Sequence, residues 1–247
     1  MAVTGAAGGV GTILASRLER DLRLLDLRSG PGCDPLDVRD LPATEKAFAG
    51  ADAVIHLGAI PTEAPFEEIL DHNLRGTYNI FEAARRQGVR RVVFASSTHV
   101  TGMYPRSDRI GPEDPIRPDT YYGVSKAFGE ALARLYAEKW GVSAVCIRIG
   151  TCIERPLDER HLSTWLSPRD AAGLFNAALD APVRFSIVYG VSANTRGWWD
   201  LTSAKELGYL PKDDAEVFAA EVAGDPSERA GTQGGSFTEP DFAFEMI

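Results

Sequence analysis

Two residues that together can act as an acid–base pair stand four positions apart in the segment YYGVSK. At this spacing Tyr122 and Lys126 share one face of a helix. A tyrosine is a poor base at neutral pH because its ordinary pKa is about 10, but a neighbouring ammonium group and a positively charged ligand both favour the phenolate. The pair therefore predicts a general base that takes a hydroxyl proton. Tyr121 competes for this role without the helical spacing to Lys126, and a surface pair without chemistry is the other interpretation.

A serine that can join this pair ends the segment FASS, ahead of a long stretch rich in Pro, Gly and Asp. The hydroxyl group of Ser97 can hydrogen-bond the oxygen from which Tyr122 takes a proton. We therefore predict that the catalytic residues are Tyr122, Lys126 and Ser97.

The segment TGAAGGVG has the pattern of a nucleotide-binding turn. It follows the first predicted strand and opens the first predicted helix, which is the context that a dinucleotide site requires. Gly5 allows the tight turn, Gly8 lets the backbone approach a pyrophosphate, and Gly11 allows close packing of helix and sheet. The first N–H groups of the helix then face the anion.

Asp26 ends the second predicted strand, about 20 residues beyond this turn. A carboxylate there accepts hydrogen bonds from both ribose hydroxyls and repels a 2′-phosphate, which favours NAD over NADP. Arg28 complicates this prediction because a nearby arginine can hold a 2′-phosphate. Asp37 fits a carboxylate near the adenine, although a turn residue is an equally simple interpretation. The predicted cofactor-binding residues are Gly5, Gly8, Gly9, Val10, Gly11, Asp26, Asp37, Val38, Leu57, Gly58, Ala59, Tyr122 and Lys126.

The elements that must position these residues alternate between strands and helices. Strand candidates such as AVIHL and RVVFA are continuous apolar runs, typical of a parallel sheet buried on both faces, and we interpret His56 within the first run as a core residue. The alternation predicts an α/β fold, a Rossmann-like doubly wound parallel sheet in one domain over residues 1–247. The predicted strands cover 1–4, 23–27, 53–57, 91–95, 143–149 and 184–189, and the clearest helical patterns cover 10–21, 65–88 and 121–141.

Two long loops interrupt this alternation, at 96–120 and 150–168, and both follow strand ends, where open α/β sheets bind ligands. After residue 189 the alternation stops, apart from a short helix predicted near 215–222. We expect the two loops and the segment 190–247 to form a small C-terminal substrate-covering region. The first strand is short, and we expect a ragged edge there.

Composition excludes several classes of function. The 26 Lys and Arg residues against 35 Asp and Glu residues give a net charge of −9, which disfavours nucleic acids and anionic membranes as partners. No apolar run is long enough to span a membrane, and we expect no secretory signal. The three cysteines form no disulfide framework or metal-ligand spacing with the four histidines, so we expect reduced thiols, a cytoplasmic location and no metal.

The motifs TGAAGGVG, HLGA, NLRGTYN, FASS and YGVSK together resemble the short-chain dehydrogenase/reductase superfamily. The glycine string fits both its short and its extended forms. Longer stretches, among them GPEDPIRPDTYYGVSKAFGE, RIGTC, RHLSTW, SANTRGWWD and LGYLPKDDAE, are similar to the uronate dehydrogenase family over nearly the whole chain. This resemblance implies NAD-dependent oxidation of glucuronate or galacturonate at C1, which gives the aldaric acid lactone. It places the sugar against Ser97, Thr98, His99, Tyr122, Thr151 and Arg160.

Arg160 suits a sugar acid because a guanidinium group binds a carboxylate through two parallel hydrogen bonds. A surface ion pair with Asp158 or Glu159 is the alternative interpretation, and a solvent-exposed loop residue is the alternative for His99. The chain departs from the family pattern at three positions, since the family has Ser, Asn and Ser where Pro61, Thr98 and Thr151 stand. These departures bear on substrate preference more than on the type of reaction.

Two other functions fit parts of the pattern. An NAD-dependent epimerase or dehydratase of the same superfamily would retain its cofactor and release no NADH. A cofactor-sensing regulator has no need for Tyr122, Lys126 and Ser97 together. Relatives also suggest a homo-oligomer built on the helices at 65–87 and 122–139, whose apolar faces fit an internal core equally well.

Overall fold

The computed structural model describes residues 1–30, 32–222, 224 and 231–242. Its main sheet has seven parallel strands in the order β3-β2-β1-β4-β5-β6-β9, and β7 pairs with β8 in a small parallel sheet. The strands are β1 (Ala2–Thr4), β2 (Arg23–Asp26), β3 (Cys33–Pro35), β4 (Ala53–His56), β5 (Arg91–Ser97), β6 (Ser143–Ile149), β7 (Thr151–Cys152), β8 (Trp165–Leu166) and β9 (Phe185–Gly190).

The helices pack on both faces of this sheet. They are α1 (Gly9–Ala15), α2 (Leu41–Phe48), α3 (Phe66–Glu68), α4 (Gly76–Gln87), α5 (Tyr121–Trp140), α6 (His161–Thr164), α7 (Pro168–Asp180) and α8 (Thr202–Glu206). A π-helical segment, Ile69–Arg75, joins α3 to α4, and 3-10 turns cover Thr98–Thr101, Ala215–Phe218 and Gly235–Thr238. The predicted Rossmann-like doubly wound fold is thereby confirmed. The strand order reverses between β1 and β4, which is where such sheets bind their ligands.

The apolar side chains of the strands pack into two hydrophobic cores, one on each face of the sheet. Along β5, Val92 and Phe94 pack into the cluster beneath α2, α4 and α5, while Val93 between them packs beneath α1 and α7. Side chains alternate across a strand, so a strand covered on both faces must be apolar at every position. Helices α4 and α5 end, as predicted, at the left-handed glycines Gly88 and Gly141.

Several sequence expectations differ from the structure. The ragged first strand is wrong, because β1 is buried and pairs with both β2 and β4. Residues 215–218 form a 3-10 turn rather than an α-helix. The edge strand β3 was not predicted, since its three residues include a proline and are only partly covered. Strand β5 runs two residues further than predicted, through Ser97.

Among the described residues, no helix is long and apolar enough to cross a membrane.

Candidate active site

A cavity of about 670 Å³ lies along the carboxyl ends of the central strands. Every residue predicted to bind the cofactor lines it, together with Ser97 and His99. The glycine turn borders one part of the cavity, and Tyr122 and Lys126 border another. One ligand can therefore contact the turn and these two side chains at the same time.

The glycine turn packs so closely against neighbouring backbone that Gly5 and Gly11 have no room for a side chain. Gly5 has a φ of 71°, and a Cβ atom on it would lie 2.6 Å from the amide nitrogen of Gly58. A Cβ atom on Gly11 would lie 2.6 Å from Cα of Ala6. A Cβ atom on Gly9, in contrast, would meet no atom within 4 Å. The turn is therefore closed on its strand side and open above, as a cradle for a pyrophosphate requires.

Asp26 is held with its carboxylate facing this cradle. Its Oδ2 accepts the amide N–H of Ala7 at 3.0 Å and its Oδ1 accepts that of Arg28 at 3.0 Å. The carboxylate lines the cavity and is nearly buried, whereas the Arg28 side chain is 78% exposed. Arg28 also lines the cavity, 4.0 Å from Asp26, but the group held in place by hydrogen bonds there is the anion rather than the cation.

We expect NAD to bind about 100-fold or more tightly than NADP, because a 2′-phosphate would lie against the Asp26 carboxylate. Titration of the protein with each dinucleotide gives the two dissociation constants. Asp26→Ala should bring the two constants together, and Asp34→Ala, which removes an exposed carboxylate from the neighbouring strand β3, should leave their ratio unchanged. Equal affinities in the wild-type protein would contradict the role of Asp26 and implicate Arg28.

Asp37 combines both interpretations that the sequence left open. It lines the cavity, and its carboxylate also closes a turn by accepting the amide N–H of Arg39 at 2.9 Å. Hydrogen bonds from the Arg39 guanidinium hold the pKa of this carboxyl below its ordinary value. Arg39 in turn contacts Asp71 at 3.2 Å, which ties the turn to the π-helical segment.

His56 is a core residue, as interpreted from the sequence. Its Nδ1 and the hydroxyl of Thr4 lie 2.8 Å apart, and its Nε2 lies 3.4 Å from the hydroxyl of Thr77. Burial, together with the nearby Lys126 charge, lowers the pKa of His56 to about 3, so the ring is neutral at physiological pH.

Tyr122 and Lys126 are both buried, so the interpretation as a surface pair is wrong. Tyr122 lines the cavity, whereas Tyr121 is 50% exposed and packs edge-on against Phe66. Lys126 Nζ donates to the carbonyl of Ala95 at 2.8 Å and lies 5.5 Å from the centre of the Tyr122 ring.

Burial dominates the electrostatics of the pair. Burial raises the pKa of Tyr122 to about 12, although a hydrogen bond with Ser97 opposes the shift. Burial also lowers the pKa of Lys126 to about 8. The prediction that the Lys126 ammonium group and the positive nicotinamide of NAD both favour the phenolate stays a prediction, and both charges would act against the effect of burial.

The helix that carries Tyr122 begins at a buried carboxylate that sequence reasoning missed. Glu63 accepts the amide N–H of Tyr121 at 3.2 Å and that of Tyr122 at 2.9 Å, one on each oxygen. The hydroxyl of Thr120 accepts the N–H of Gly123 at 3.0 Å. The first turn of α5 is thus fully hydrogen-bonded, and the backbone of Tyr122 is held directly.

We expect Glu63→Ala to lower the free energy of unfolding by about 2 kcal/mol, because it leaves two helix-terminal amides without their charged acceptor. Urea denaturation measures this change. Glu67→Ala, on the exposed surface of α3, is the matched control and should change the same quantity by less than about 0.5 kcal/mol. Equal effects of the two substitutions would show that Glu63 does not stabilise α5.

Asn73, in the π-helical segment, is a second residue that the sequence did not single out. Its Oδ1 accepts the N–H of Ile60 at 2.8 Å, and its Nδ2 donates to the carbonyl of Ile60 and to the hydroxyl of Ser125. Ile60 lines the cavity and Ser125 lies on α5. Asn73 therefore fixes one wall of the cavity relative to the helix of Tyr122, and π-helical turns are frequent at such places.

The residues predicted to contact substrate occupy different environments. Ser97 and His99 line the cavity; in the described part of the chain, Thr98, Thr151 and Arg160 are not among its lining residues. Thr98 is buried, and the hydroxyl of Thr151 lies 2.8 Å from that of Thr164.

Arg160 lies against the C-terminal segment. Its Nε and Nη2 donate to the carbonyl of Gln233 at 3.2 and 2.7 Å. Of the two carboxylates considered as surface partners, Asp158 accepts the N–H of His161 and Glu159 pairs with Arg196. That Arg160 binds the substrate stays a prediction.

The described part of the C-terminal segment packs on the first long loop through one buried side chain. The amide group of Gln233 donates to the carbonyls of Pro105 and Asp108 and accepts the indole N–H of Trp199. Its backbone N–H donates to the carbonyl of Tyr104 at 2.8 Å. These contacts join loop 96–120 to the segment beyond residue 190, whose tight association no local pattern in the sequence signals.

Comparisons with known proteins agree with this geometry. A sequence model of the NAD dependent epimerase/dehydratase family matches residues 1–167. The uronate dehydrogenase of Agrobacterium fabrum is 44% identical over 253 residues, which cover 96% of each chain. A mutant of the Agrobacterium tumefaciens uronate dehydrogenase, complexed with NAD, superposes with a TM-score of 0.91 at 44% identity, covering 98% of this chain and 97% of that one. Glucuronic acid dehydrogenase from Chromohalobacter salexigens superposes with a TM-score of 0.89 at 41% identity, covering 96% and 95%.

The family match covers the glycine turn, Asp26, Tyr122 and Lys126, all of which border the cavity. The similarity to uronate dehydrogenases extends beyond it, through the C-terminal region that packs on loop 96–120. The resemblance inferred from the motifs is confirmed, and the chain belongs to the NAD dependent epimerase/dehydratase family, in which it is similar to the uronate dehydrogenases.

Proposed function

We propose that this protein is an NAD-dependent uronate dehydrogenase that oxidises a hexuronic acid, glucuronate or galacturonate, at C1 to the aldarolactone. The observation that carries the proposal is one cavity bordered by both the glycine turn with Asp26 and the buried set of Tyr122, Lys126 and Ser97. The similarity to uronate dehydrogenases over nearly the whole chain supports the substrate class.

In this mechanism Tyr122 takes the proton of the anomeric hydroxyl of the cyclic sugar acid. Bound NAD supplies the hydride acceptor for C1 and, in its oxidised form, a positive charge near the phenol. Lys126 contributes the second positive charge, and Ser97 hydrogen-bonds the reacting oxygen. Together these groups oppose the burial that raises the pKa of Tyr122 to about 12. The product is a lactone, which opens in water.

Arg160 is the proposed anchor of the substrate carboxylate, and Ser97, Thr98, His99, Tyr122 and Thr151 are the other proposed sugar contacts. Arg160 stands in the stretch 150–168 that follows β6, and Ile149 and Gly150, where β6 meets this stretch, line the cavity. A guanidinium group is suited to a fixed carboxylate. Pro61 lines the cavity where it offers neither a hydroxyl nor an N–H group, so substrate preference is expected to differ from that of relatives with serine there.

The test is the absorbance of NADH after mixing the protein with NAD and, separately, glucuronate, galacturonate or glucose. Signal with the two sugar acids and little with glucose is the expected result. No net NADH with any of them would favour an epimerase or dehydratase that returns the hydride to its substrate.

We also propose a cytoplasmic location and a homo-oligomer. The location rests on the three cysteines, all of them free thiols. The oligomer rests on large apolar side chains exposed along α4 and α5, namely Tyr78, Tyr121, Val124, Leu135 and Trp140. Light scattering that gives the mass of a single chain would contradict the proposed oligomer.

A further inference from the structure

A buried carboxylate beside the catalytic tyrosine sits in a space that three glycines leave open. The side chain of Asp119 has no exposed surface. A Cβ atom on Gly102 or on Gly234 would overlap its Oδ2, and one on Gly123 would lie 3.2 Å from its Oδ1. These glycines come from the end of a 3-10 turn, the C-terminal segment and the first turn of α5. Three separate parts of the chain therefore make room for one carboxylate.

The carboxylate of Asp119 is directed at His99. Its Oδ2 lies 2.7 Å from Nδ1 of the ring, and its Oδ1 accepts the hydroxyl hydrogen of Thr120 at 2.9 Å. A carboxylate oxygen that accepts this hydrogen bond makes Nδ1 of His99 the donor, so Nδ1 is the expected position of the ring hydrogen. In the neutral ring Nε2 then has a free lone pair and accepts.

The ring of His99 is also held by its other neighbours. Phe237 stacks on it with ring centres 4.0 Å apart, and the Tyr122 ring meets it edge-on at 5.9 Å. His99 lines the same cavity as Tyr122 and Ser97. Its orientation is thus fixed on several sides, at the wall of the cavity that Tyr122 and Ser97 share.

We propose that Asp119 is a positioning residue that fixes the tautomer and orientation of His99, so that Nε2 accepts a hydrogen bond from a hydroxyl group of the substrate. The inference rests on the proposed function, in which His99 contacts the sugar. The positioning role explains why a carboxylate is buried at a site that receives an anionic substrate. A histidine that is held by a carboxylate at one ring nitrogen presents a defined hydrogen-bond acceptor at the other.

The first test needs no turnover. Nitrogen-15 NMR of the imidazole rings, in the NAD-bound protein without sugar, reports which nitrogen of His99 carries the hydrogen; a His99→Gln variant assigns the signal among the four histidines. We expect Nδ1–H in the wild-type protein and a mixture of tautomers in Asp119→Ala. The Nε2–H form in the wild-type protein would overturn the proposal, whether or not any sugar acid is oxidised.

The second test is a double-mutant cycle on glucuronate oxidation. Asp119→Ala should lower kcat/KM about tenfold or more, the effect of one lost hydrogen bond, and leave the Kd of NAD within about twofold. In the His99→Gln background the same substitution should have almost no further effect, because its influence passes through His99. Additive losses, or a matching loss of NAD binding, would overturn the positioning role. Asp119→Asn, which keeps the shape of the side chain, replaces Asp119→Ala in the cycle if the latter does not fold.

Discussion

Tyr122→Phe is expected to lower kcat for uronate oxidation by about 10²- to 10⁴-fold, the usual contribution of a general base. The phenyl ring fills the same buried space, so the Kd of NAD should stay close to the wild-type value. Steady-state kinetics with glucuronate and a separate NAD titration measure the two quantities.

The matched control for this change is Tyr121→Phe, one residue earlier on the same helix. Tyr121 is half-exposed and packs against Phe66 outside the cavity, so its hydroxyl should be dispensable. If Tyr122→Phe retained more than about a tenth of the wild-type kcat while Tyr121→Phe did not, the base would be Tyr121.

Arg160→Ala should lower kcat/KM for glucuronate and galacturonate by about 30-fold or more, because an Arg–carboxylate pair that loses one partner costs roughly 2–5 kcal/mol. Neutral aldoses that are turned over slowly should be affected far less, since they have no carboxylate. Arg160→Lys should recover only part of the loss, because an ammonium group lacks the planar fork.

The ratio of kcat/KM for a uronate to that for a neutral sugar is the decisive measurement. Arg160 also holds the carbonyl of Gln233, so its removal can disturb the C-terminal segment, but that disturbance acts on both classes of substrate. Arg155→Ala, in the same loop on an exposed side chain, should leave both values unchanged. An unchanged ratio in Arg160→Ala would mean that another group holds the carboxylate.

Local patterns in the sequence predicted the features that depend on neighbours along the chain. The glycine turn, the strand-end position of Asp26 and the spacing of Tyr122 to Lys126 all reflect a single strand or helix. Each of these residues is placed by its own element, and at one edge of the sheet the strands end and these helices begin. Their meeting in one cavity therefore followed from the fold class.

The features that escaped prediction depend on contacts between distant segments. Glu63 reaches a helix that begins 58 residues later, and Gln233 binds carbonyls more than 120 residues earlier. The periodicity of apolar residues along the chain gives no information on such long-range contacts. The raised pKa of Tyr122 escaped for a related reason, since its largest cause is burial by the whole fold, which the spacing to Lys126 does not report.

The π-helical segment lets one continuous helix serve two partners at different angles. A π turn adds a residue to the helical path, and each residue advances an α-helix by about 100°. Upstream of α4, Asn73 thus keeps the angle that its hydrogen bonds to Ile60 in the cavity wall need, while Ile80 and Phe81 within α4 keep the angle that the sheet core needs. Loss of a single residue between 69 and 75 would rotate the side chains that contact the cavity wall by about a quarter turn relative to those that contact the sheet core. This short stretch should therefore tolerate a substitution far better than a change in length.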